Sequence, residues 1–129
     1  MKMIFLFLLA LLVSCNKISN DPISKNLCND LGAVTSKNGY TKNYYPNSIN
    51  LESIGHYAAG KKDGFWKFFY RNGKVKAEGH YRYNKKQGYW KEYHKNGLVK
   101  SEGHIENCEP SGYWKFYDQK NNLIKEINY

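Results

Sequence analysis

The sequence predicts an all-β fold, a single-layer antiparallel β-meander of three 24-residue repeats that follow a degenerate N-terminal repeat. The first support is a fixed step of 24 residues, which separates Gly55-His56, Gly79-His80 and Gly103-His104. A period of this size indicates a repeat array, in which each unit depends on its neighbours. The second support is that no window beyond the N-terminal segment shows the 3.6-residue apolar period of a helix.

The central block shows the strands that we expect in each repeat. Residues 79–84 and 88–94 are aromatic-rich runs of strand length, separated by polar residues 85–87, for which we expect a turn. Asn96-Gly97 follows the second run, and Asn-Gly predicts a type I′ hairpin turn because both central residues of that turn need positive φ. A third run, 98–101, leads into the next block. Each repeat is therefore predicted to contribute about two strands.

Weaker copies of the pattern lie at both ends of the array. Residues 38–45 align with residues 63–70 at a step of 25, with Thr41 in the place of Trp66. We interpret this segment as a degenerate capping unit. Residues 123–129 supply a final strand, so the predicted repeat domain spans residues 38–129.

The blocks resemble bacterial MORN repeats of the variant form, which reads roughly Gly-x-Trp-x-x-Tyr-x-x-Asn-Gly and then Glu-Gly-x-Tyr. Residues 64–81 carry this pattern, residues 88–103 repeat it, and the third block departs from it at Ile105 and Asn121. The resemblance implies an elongated, twisted antiparallel sheet that is used for binding. Because some members of the variant family are antitoxins of toxin–antitoxin pairs, it also implies an antitoxin-like role as an alternative.

The N-terminus predicts export. Met1-Lys2 is a short basic start and residues 3–13 are apolar, a run too short for a bilayer core that needs about 20 helical residues. We interpret residues 1–14 as a signal peptide. Residues 12–15, Leu-Val-Ser-Cys, resemble the bacterial lipobox, which implies lipidation of Cys15 and a bacterial cell-envelope lipoprotein anchored to a membrane. The alternatives are an ordinary signal peptide or an uncleaved anchor.

The segment after Cys15 reads as a tether that ends in the repeat domain. Residues 15–37 are rich in Asn, Ser, Lys and Asp, which is typical of a flexible linker. Cys28 and Cys108 either form a disulfide, since disulfides persist in exported proteins, or remain unpaired. A bridge between them would close a long loop and stabilise the fold by about 4 kcal/mol in the entropic model.

Strand alternation sorts the repeated side chains onto two faces. On one face lies the structural ladder of Trp66, Trp90 and Trp114, which we expect in the core. The other face carries the candidate binding residues, namely Phe65, Lys67, Phe69, Tyr89, Lys91, Tyr93, Tyr113, Lys115 and Tyr117. These side chains are either a second structural ladder or an exposed platform of the kind that proteins use in recognition.

The charge distribution favours an anionic partner. The chain has a formal net charge of +9, and its basic residues concentrate in the first two repeats. Anionic lipid head groups or an acidic protein would fit this charge, and the alternative is that the lysines only keep turns and edges soluble. Interleaved rings and cations also suit single-stranded nucleic acid, but export argues against that partner.

Metal binding and catalysis have little support. The blocks repeat His56, His80 and His104, but equivalent positions lie two strands apart, about 9.6 Å, so the three imidazoles cannot share a zinc ion. We expect them to be surface ladder residues. The chain carries no catalytic motif, so we predict no enzyme and no cofactor. The predicted function is a membrane-anchored lipoprotein that binds protein or envelope ligands; the alternatives are an immunity protein that neutralises a toxin and a structural envelope protein.

Overall fold

The computed structural model describes residues 36–129, which form one open antiparallel sheet of eight strands. Strand order in the sheet follows the order along the chain, so each strand pairs only with its neighbours in sequence. The strands are β1 (Gly39–Tyr44), β2 (Leu51–Ala58), β3 (Lys61–Phe69), β4 (Val75–Arg82), β5 (Lys85–Tyr93), β6 (Val99–Glu106), β7 (Glu109–Tyr117) and β8 (Leu123–Asn128). The described residues contain no helix, and the predicted all-β meander with two strands per repeat is confirmed.

The N-terminal predictions fall largely on residues that the structure does not describe. The signal peptide 1–14, the lipidation site Cys15 and the cysteine Cys28 all lie outside residues 36–129. Only the last two residues of the predicted tether 15–37 are described, and both are exposed. These assignments remain predictions.

The loops after β3 and β5 differ from the predicted type I′ turn. After β3, the Tyr70 amide donates to the Lys74 carbonyl at 2.8 Å, and the Lys74 amide donates to Asn72 Oδ1 at 3.0 Å. Within Asn72-Gly73 only the glycine has a positive φ, of 82°. The type I′ prediction is wrong here because the Asn side chain accepts from the backbone two residues ahead, which leaves only the glycine in the left-handed region.

The two-residue turns with two positive φ values lie instead between β2 and β3, β4 and β5, and β6 and β7. They are Ala59-Gly60, Tyr83-Asn84 and Asn107-Cys108. The turn predicted at residues 85–87 is therefore wrong, since these residues begin β5. The Asn84 amide donates to the Lys62 carbonyl at 2.9 Å, and Asn84 Oδ1 accepts from the Lys62 amide at 2.7 Å. This exchange with the preceding block helps to hold Asn84 in its left-handed conformation.

The sheet builds its core on one face. The indoles of Trp66, Trp90 and Trp114 are 0%, 2% and 3% exposed. Aromatic edges cover them, as the ring of Tyr81 does with Trp90 at a centroid distance of 5.2 Å and an interplanar angle of 89°. The buried cluster consists of Tyr57, Trp66, Tyr81, Trp90, Ile105 and Trp114. A single layer can bury these rings because they pack along the sheet from block to block.

Each tryptophan packs directly on a glycine of its own block. A Cβ atom added at Gly79 would lie 2.4 Å from Trp90 Cδ2, far inside contact distance, and the same is true of the other two blocks. Trp90 Nε1 then donates to the carbonyl of His80 at 3.1 Å. The repeated Gly-His pair and the tryptophan that follows it therefore form one packing unit.

Side chains at the loop end of the sheet connect each repeat to the next. The hydroxyl of Tyr45 donates to the Phe69 carbonyl, and the hydroxyl of Tyr70 donates to the Tyr93 carbonyl, both at 2.6 Å. His94 Nε2 makes the corresponding contact with the carbonyl of Tyr117 at 2.9 Å. The N-terminal unit thus makes the same contact as the full repeats, which explains how a degenerate copy can cover the end of the array.

Candidate binding face

The candidate site is the face of the sheet opposite the tryptophans. In β3, Trp66 and Phe68 stack on the core side, with ring centroids 6.0 Å apart. Phe65 and Lys67 lie on the other side of the strand, where the lysine forms an ion pair with Glu78 at 3.2 Å. We call this second surface the ring face.

Each strand from β1 to β7 carries an exposed ring on the ring face, and β1 has a second exposed ring at Tyr44. The series with one ring per strand, which we call the ring row, consists of Tyr40, His56, Phe65, His80, Tyr89, His104 and Tyr113. Register pairs Phe65 with His80 and Tyr89 with His104, and in both pairs the ring centroids are 5.3 Å apart in an edge-to-face arrangement. At the usual strand spacing the row extends over about 29 Å.

A β-bulge positions three aromatics of the ring row, Phe65, Tyr89 and Tyr113. Gly64, Gly88 and Gly112 have φ values of 78°, 71° and 63°, and each immediately precedes the aromatic residue. An added Cβ would meet nothing within 4 Å at any of the three, so the backbone conformation rather than space requires glycine. Bulges re-aim side chains, and here the repeated bulge gives each block the same exposed ring.

A row of alternating charges runs beside the rings. Cross-strand register aligns Lys42, Ile54, Lys67, Glu78, Lys91, Glu102, Lys115 and Glu126. Lys91 forms an ion pair with Glu102 at 3.5 Å, as Lys67 does with Glu78. The predicted column of lysines is therefore largely balanced by glutamates, and the ring face is not a simple basic surface.

Tyrosine hydroxyls complete the environment of these glutamates. Tyr93 donates to Glu78 Oε1 at 2.6 Å, and Tyr117 donates to Glu102 Oε1 at 2.9 Å. Partial burial opposes ionisation, but the hydrogen bond from Tyr93 and the Lys67 ammonium lower the pKa of Glu78 below its ordinary value. Glu102 has a lowered pKa for the same kind of reason. Partial burial and the adjacent Glu102 carboxylate raise the pKa of Tyr89 to about 12.

The nine predicted binding residues thus divide into three groups. Phe65, Tyr89 and Tyr113 are exposed, at 47%, 43% and 64%. Lys67 and Lys91 are in ion pairs, and Lys115 is exposed. Half-buried positions are taken by Phe69, Tyr93 and Tyr117. The first group has the most ring surface available for new contacts.

Sequence reasoning missed two components of this face. One is the role of the histidines, which were expected only as surface residues and which in fact continue the ring row between the aromatics. The other is the glutamate series Glu78, Glu102 and Glu126, which repeats at the same step of 24. The step was visible in the sequence, but the cross-strand register that brings glutamate beside lysine was not.

A shallow depression lies within the ring face near the end of the array. It has a volume of about 400 Å³ and includes His104, the bulge glycines Gly88 and Gly112, and polar Gln87 and Ser111. Tyr89 and Tyr113 directly follow these two glycines in the sequence, but neither tyrosine lines the depression. The absence of side chains at the bulges opens this space.

Residues 36–129 also show which metal-binding, membrane-spanning and disulfide features the described part of the chain contains. In this range no group of three or more His, Cys, Asp or Glu side chains is arranged to hold a metal ion. No helix in the same range is long and apolar enough to cross a membrane. Cys108 is buried and disulfide-bonded, and the other two cysteines, Cys15 and Cys28, lie outside the described residues. The pairing of Cys108 with Cys28 stays a prediction.

Comparisons with known proteins match the repeats. The family model for the MORN repeat variant matches residues 62–83, 86–107 and 110–129, which correspond to the hairpins β3–β4, β5–β6 and β7–β8. A solved structure, "Crystal structure of accessory secretory protein 1,2 and 3 in Streptococcus pneumoniae", is similar at 11% identity and a TM-score of 0.24, over 72% of this chain and 17% of that one. A similarity this low supports no functional argument. A search of curated protein sequences finds no match.

Proposed function

Residues 62–129 are three MORN repeats of the variant family, and from that premise we propose that the protein is an exported, lipid-anchored lipoprotein whose sheet is a binding module. The observation that carries the proposal is the ring row, in which seven strands each present an exposed ring at equivalent positions. Exposed aromatic side chains are common anchors in protein recognition. The surface that binds would be the ring face, since the tryptophan face is occupied by the core.

Three features support an envelope location. The apolar segment 3–13 and the Leu-Val-Ser-Cys sequence ending at Cys15 resemble a lipoprotein signal. The disulfide at Cys108 suits an oxidising compartment. If Cys15 carries lipid, Cys28 is the only cysteine left to pair with Cys108. The membrane anchor and the binding face would then be joined by the segment 15–37.

The shape of the ring face suits an extended or flat ligand. A small metabolite needs a concave pocket that covers most of its surface, whereas the exposed rings form a row about 29 Å long. The alternating Lys and Glu residues beside the row reduce its net charge, so the contacts would rely on rings more than on ionic attraction. We propose a protein or envelope polymer as the ligand class and no enzymatic activity.

Anchoring is tested with Cys15→Ala in the full-length protein. The wild-type chain should be in the detergent-extractable membrane fraction with an acyl modification on Cys15, and the variant should lose both. A variant that partitions like wild type, together with no acyl mass on Cys15 of the wild-type protein, would contradict the lipoprotein assignment.

Binding is tested by affinity capture from envelope extracts with full-length wild-type protein and the double variant Tyr89→Ala/Tyr113→Ala. We expect captured partners to be lost in the double variant and retained in Tyr83→Ala, which removes an aromatic side chain that is 57% exposed but outside the ring row. Equal capture by all three proteins would place binding elsewhere. The identity of the partner separates the alternatives, since a toxin would indicate immunity and an envelope component would indicate a receptor or a structural role.

A further inference from the structure

We propose that copies of this chain associate head to tail, with β1 of one copy pairing with β8 of another as the next strand of the sheet. β1 and β8 are the outer strands of the described sheet, and each pairs with one strand within residues 36–129. Main-chain groups on an outer strand are available to a further strand, but they do not choose a partner. Here the side chains of the two outer strands make that choice. The contact is separate from the ligand of the ring row.

A tyrosine–glutamate hydrogen bond recurs where two strands are joined by a two-residue turn. Between β4 and β5, the Tyr93 hydroxyl donates to Glu78 Oε1 at 2.6 Å. Between β6 and β7, the Tyr117 hydroxyl donates to Glu102 Oε1 at 2.9 Å. Both cases pair a tyrosine at the end of one strand with a glutamate on the strand before it.

The other positions of this pattern show that the two residues occur together. Between β2 and β3 the equivalent residues are Phe69 and Ile54, so both members of the pair are replaced. The remaining equivalents are Tyr44 on β1 and Glu126 on β8, which lie at opposite edges of the sheet. Tyr44 is 50% exposed, and Glu126 is also exposed. A head-to-tail joint brings this tyrosine of one copy to this glutamate of another and completes the pair.

The charge row of the ring face has the same polarity. It begins with Lys42 on β1 and ends with Glu126 on β8. Lys42 is exposed, and its partner in register within the chain is the uncharged Ile54. β4 and β5 align Glu78 with Lys91. The same register at the joint aligns Glu126 with Lys42 of the second copy, and opposite charges directly across two strands stabilise their pairing. A joint between two β8 strands would not supply this lysine.

On the core face, the joint replaces a large and a small residue by two of intermediate size. Inside the sheet, Trp90 packs on Gly79 of the preceding strand. The equivalent residues at the joint are Thr41 of β1 and Ile127 of β8. A tryptophan at position 41 would overlap the isoleucine, whereas threonine leaves room for it. Each of these two residues would also suit a free edge. They therefore make the joint possible, and the tyrosine, lysine and glutamate specify it.

The joint lacks one link that the interior has, so we expect it to be reversible. Tyr70 and His94 each contact a carbonyl of the next repeat. Asp118 occupies the equivalent position in the last repeat, and its carboxylate accepts from the Lys120 and Asn122 amides of its own loop. An ionised carboxylate has no proton to donate to a carbonyl of the second copy. Because the two edges are different surfaces, the contact is heterologous and can add further copies.

Sedimentation velocity of the full-length protein in detergent solution tests the association. The wild type should grow beyond the monomer as its concentration rises. Tyr44→Phe and Glu126→Gln should each raise the dissociation constant about tenfold, since each removes a hydrogen bond to a charged group. The double variant should raise it little further, because both changes remove the same contact. Tyr83→Ala, which removes an exposed ring from the turn between β4 and β5, should leave association unchanged.

Edge-blocked variants test the direction of the joint. Thr41→Trp should block β1 and Ile127→Trp should block β8, so each variant alone should stay monomeric. An equimolar mixture of the two should form dimers and nothing larger, because one intact β8 edge meets one intact β1 edge. The double variant Thr41→Trp/Ile127→Gly should associate again, since it restores the tryptophan–glycine pair of the interior. Circular dichroism checks that all variants are folded.

Three outcomes would overturn the inference. The first is a wild-type protein that stays monomeric at every concentration. The second is association that persists unchanged in Thr41→Trp and in Glu126→Gln. The third is association of either blocked variant with itself, which would indicate that like edges pair. Binding by the ring face is measured separately, by affinity capture with Tyr89→Ala/Tyr113→Ala, so failure of the joint leaves that proposal standing.

Discussion

The two faces of the sheet use glycine for opposite reasons. On the core face, Gly79 leaves space for Trp90, since an added Cβ would lie 2.4 Å from the indole. On the ring face, Gly88 has open space around it and is needed for its φ of 71°. Both glycines recur every 24 residues, so the repeat pattern alone does not distinguish them. One position fixes packing, and the other fixes the direction of an exposed side chain.

The difference also separates stability from recognition along a single strand. Trp90 is 2% exposed and its neighbour Tyr89 is 43% exposed, although the two residues are adjacent in β5. Burial of the indole stabilises the array, whereas the tyrosine keeps much of its surface available to a partner. Substitutions at adjacent positions should therefore affect different properties.

The largest expected effect is on the core face. Trp90→Ala removes an indole that packs against Tyr81 and Gly79, and should reduce the free energy of unfolding by about 3–5 kcal/mol. Trp114→Ala should cost less because the neighbouring strand β8 is exposed along most of its length. Urea unfolding of both variants checks this, with Tyr89→Ala as the control that should change stability little. A large loss in Tyr89→Ala would remove the distinction between the faces.

A double-mutant cycle sharpens the comparison of the glycines. Gly79→Ala should destabilise by about 1–3 kcal/mol through overpacking against Trp90, and Gly88→Ala should cost about 1–2 kcal/mol through its left-handed backbone. In a Trp90→Ala background the cost of Gly79→Ala should largely disappear, while that of Gly88→Ala should remain. Denaturant unfolding of the single and double variants measures both couplings. Equal coupling of the two glycines to Trp90 would contradict the assignment of separate causes.

The smallest expected effect concerns acid stability on the ring face. The pKa values of Glu78 and Glu102 in the folded protein lie below the ordinary value of 4.5, so their stabilising contribution is present above that value. It is lost as the pH falls through 4.5 toward the lowered values in the folded protein. The double variant Glu78→Gln/Glu102→Gln should have a free energy of unfolding that is lower near neutral pH by up to about 1 kcal/mol. It should also lose less stability than the wild type as the pH falls below 4.5. Urea unfolding at several pH values measures this difference. If the pH dependence of stability is the same in the double variant and the wild type, these glutamates do not contribute to stability.

The fold was largely predictable because the same sequence pattern recurs in every block. The step of 24 residues fixed the number of blocks, and alternation around Trp66 assigned Phe65 and Lys67 to the opposite face. The type of the turns at Asn72-Gly73 and Asn96-Gly97 and the place of the turn before β5 were not predictable. The pattern places Asn84 at the end of the strand-length run 79–84, yet its left-handed conformation is supported by two hydrogen bonds to Lys62 in the preceding block.

The candidate site was predictable only in part for a similar reason. Tyr89 and Tyr113 were identified from alternation within β5 and within β7, but the ring between them, His104, belongs to β6. The bulge at Gly88 shifts the register of β5 against β4 by two residues, whereas the pairing of β5 with β6 continues unbroken through Gly88 and places His104 opposite Tyr89. Such a register depends on long-range pairing that a local pattern does not contain.

The backbone of this sheet fixes the spacing at which the ring row can contact a ligand. Distances between rings on successive strands are set by main-chain hydrogen bonds, at about 4.8 Å per strand, and not by the side chains themselves. Substitution of Phe65 or Tyr89 would alter the chemistry of one position in the ring row without moving the next ring. Duplication of one 24-residue block would add two rings at the same interval. The length of ligand that the ring row can contact would then grow in fixed steps, while the distance between neighbouring rings stayed constant.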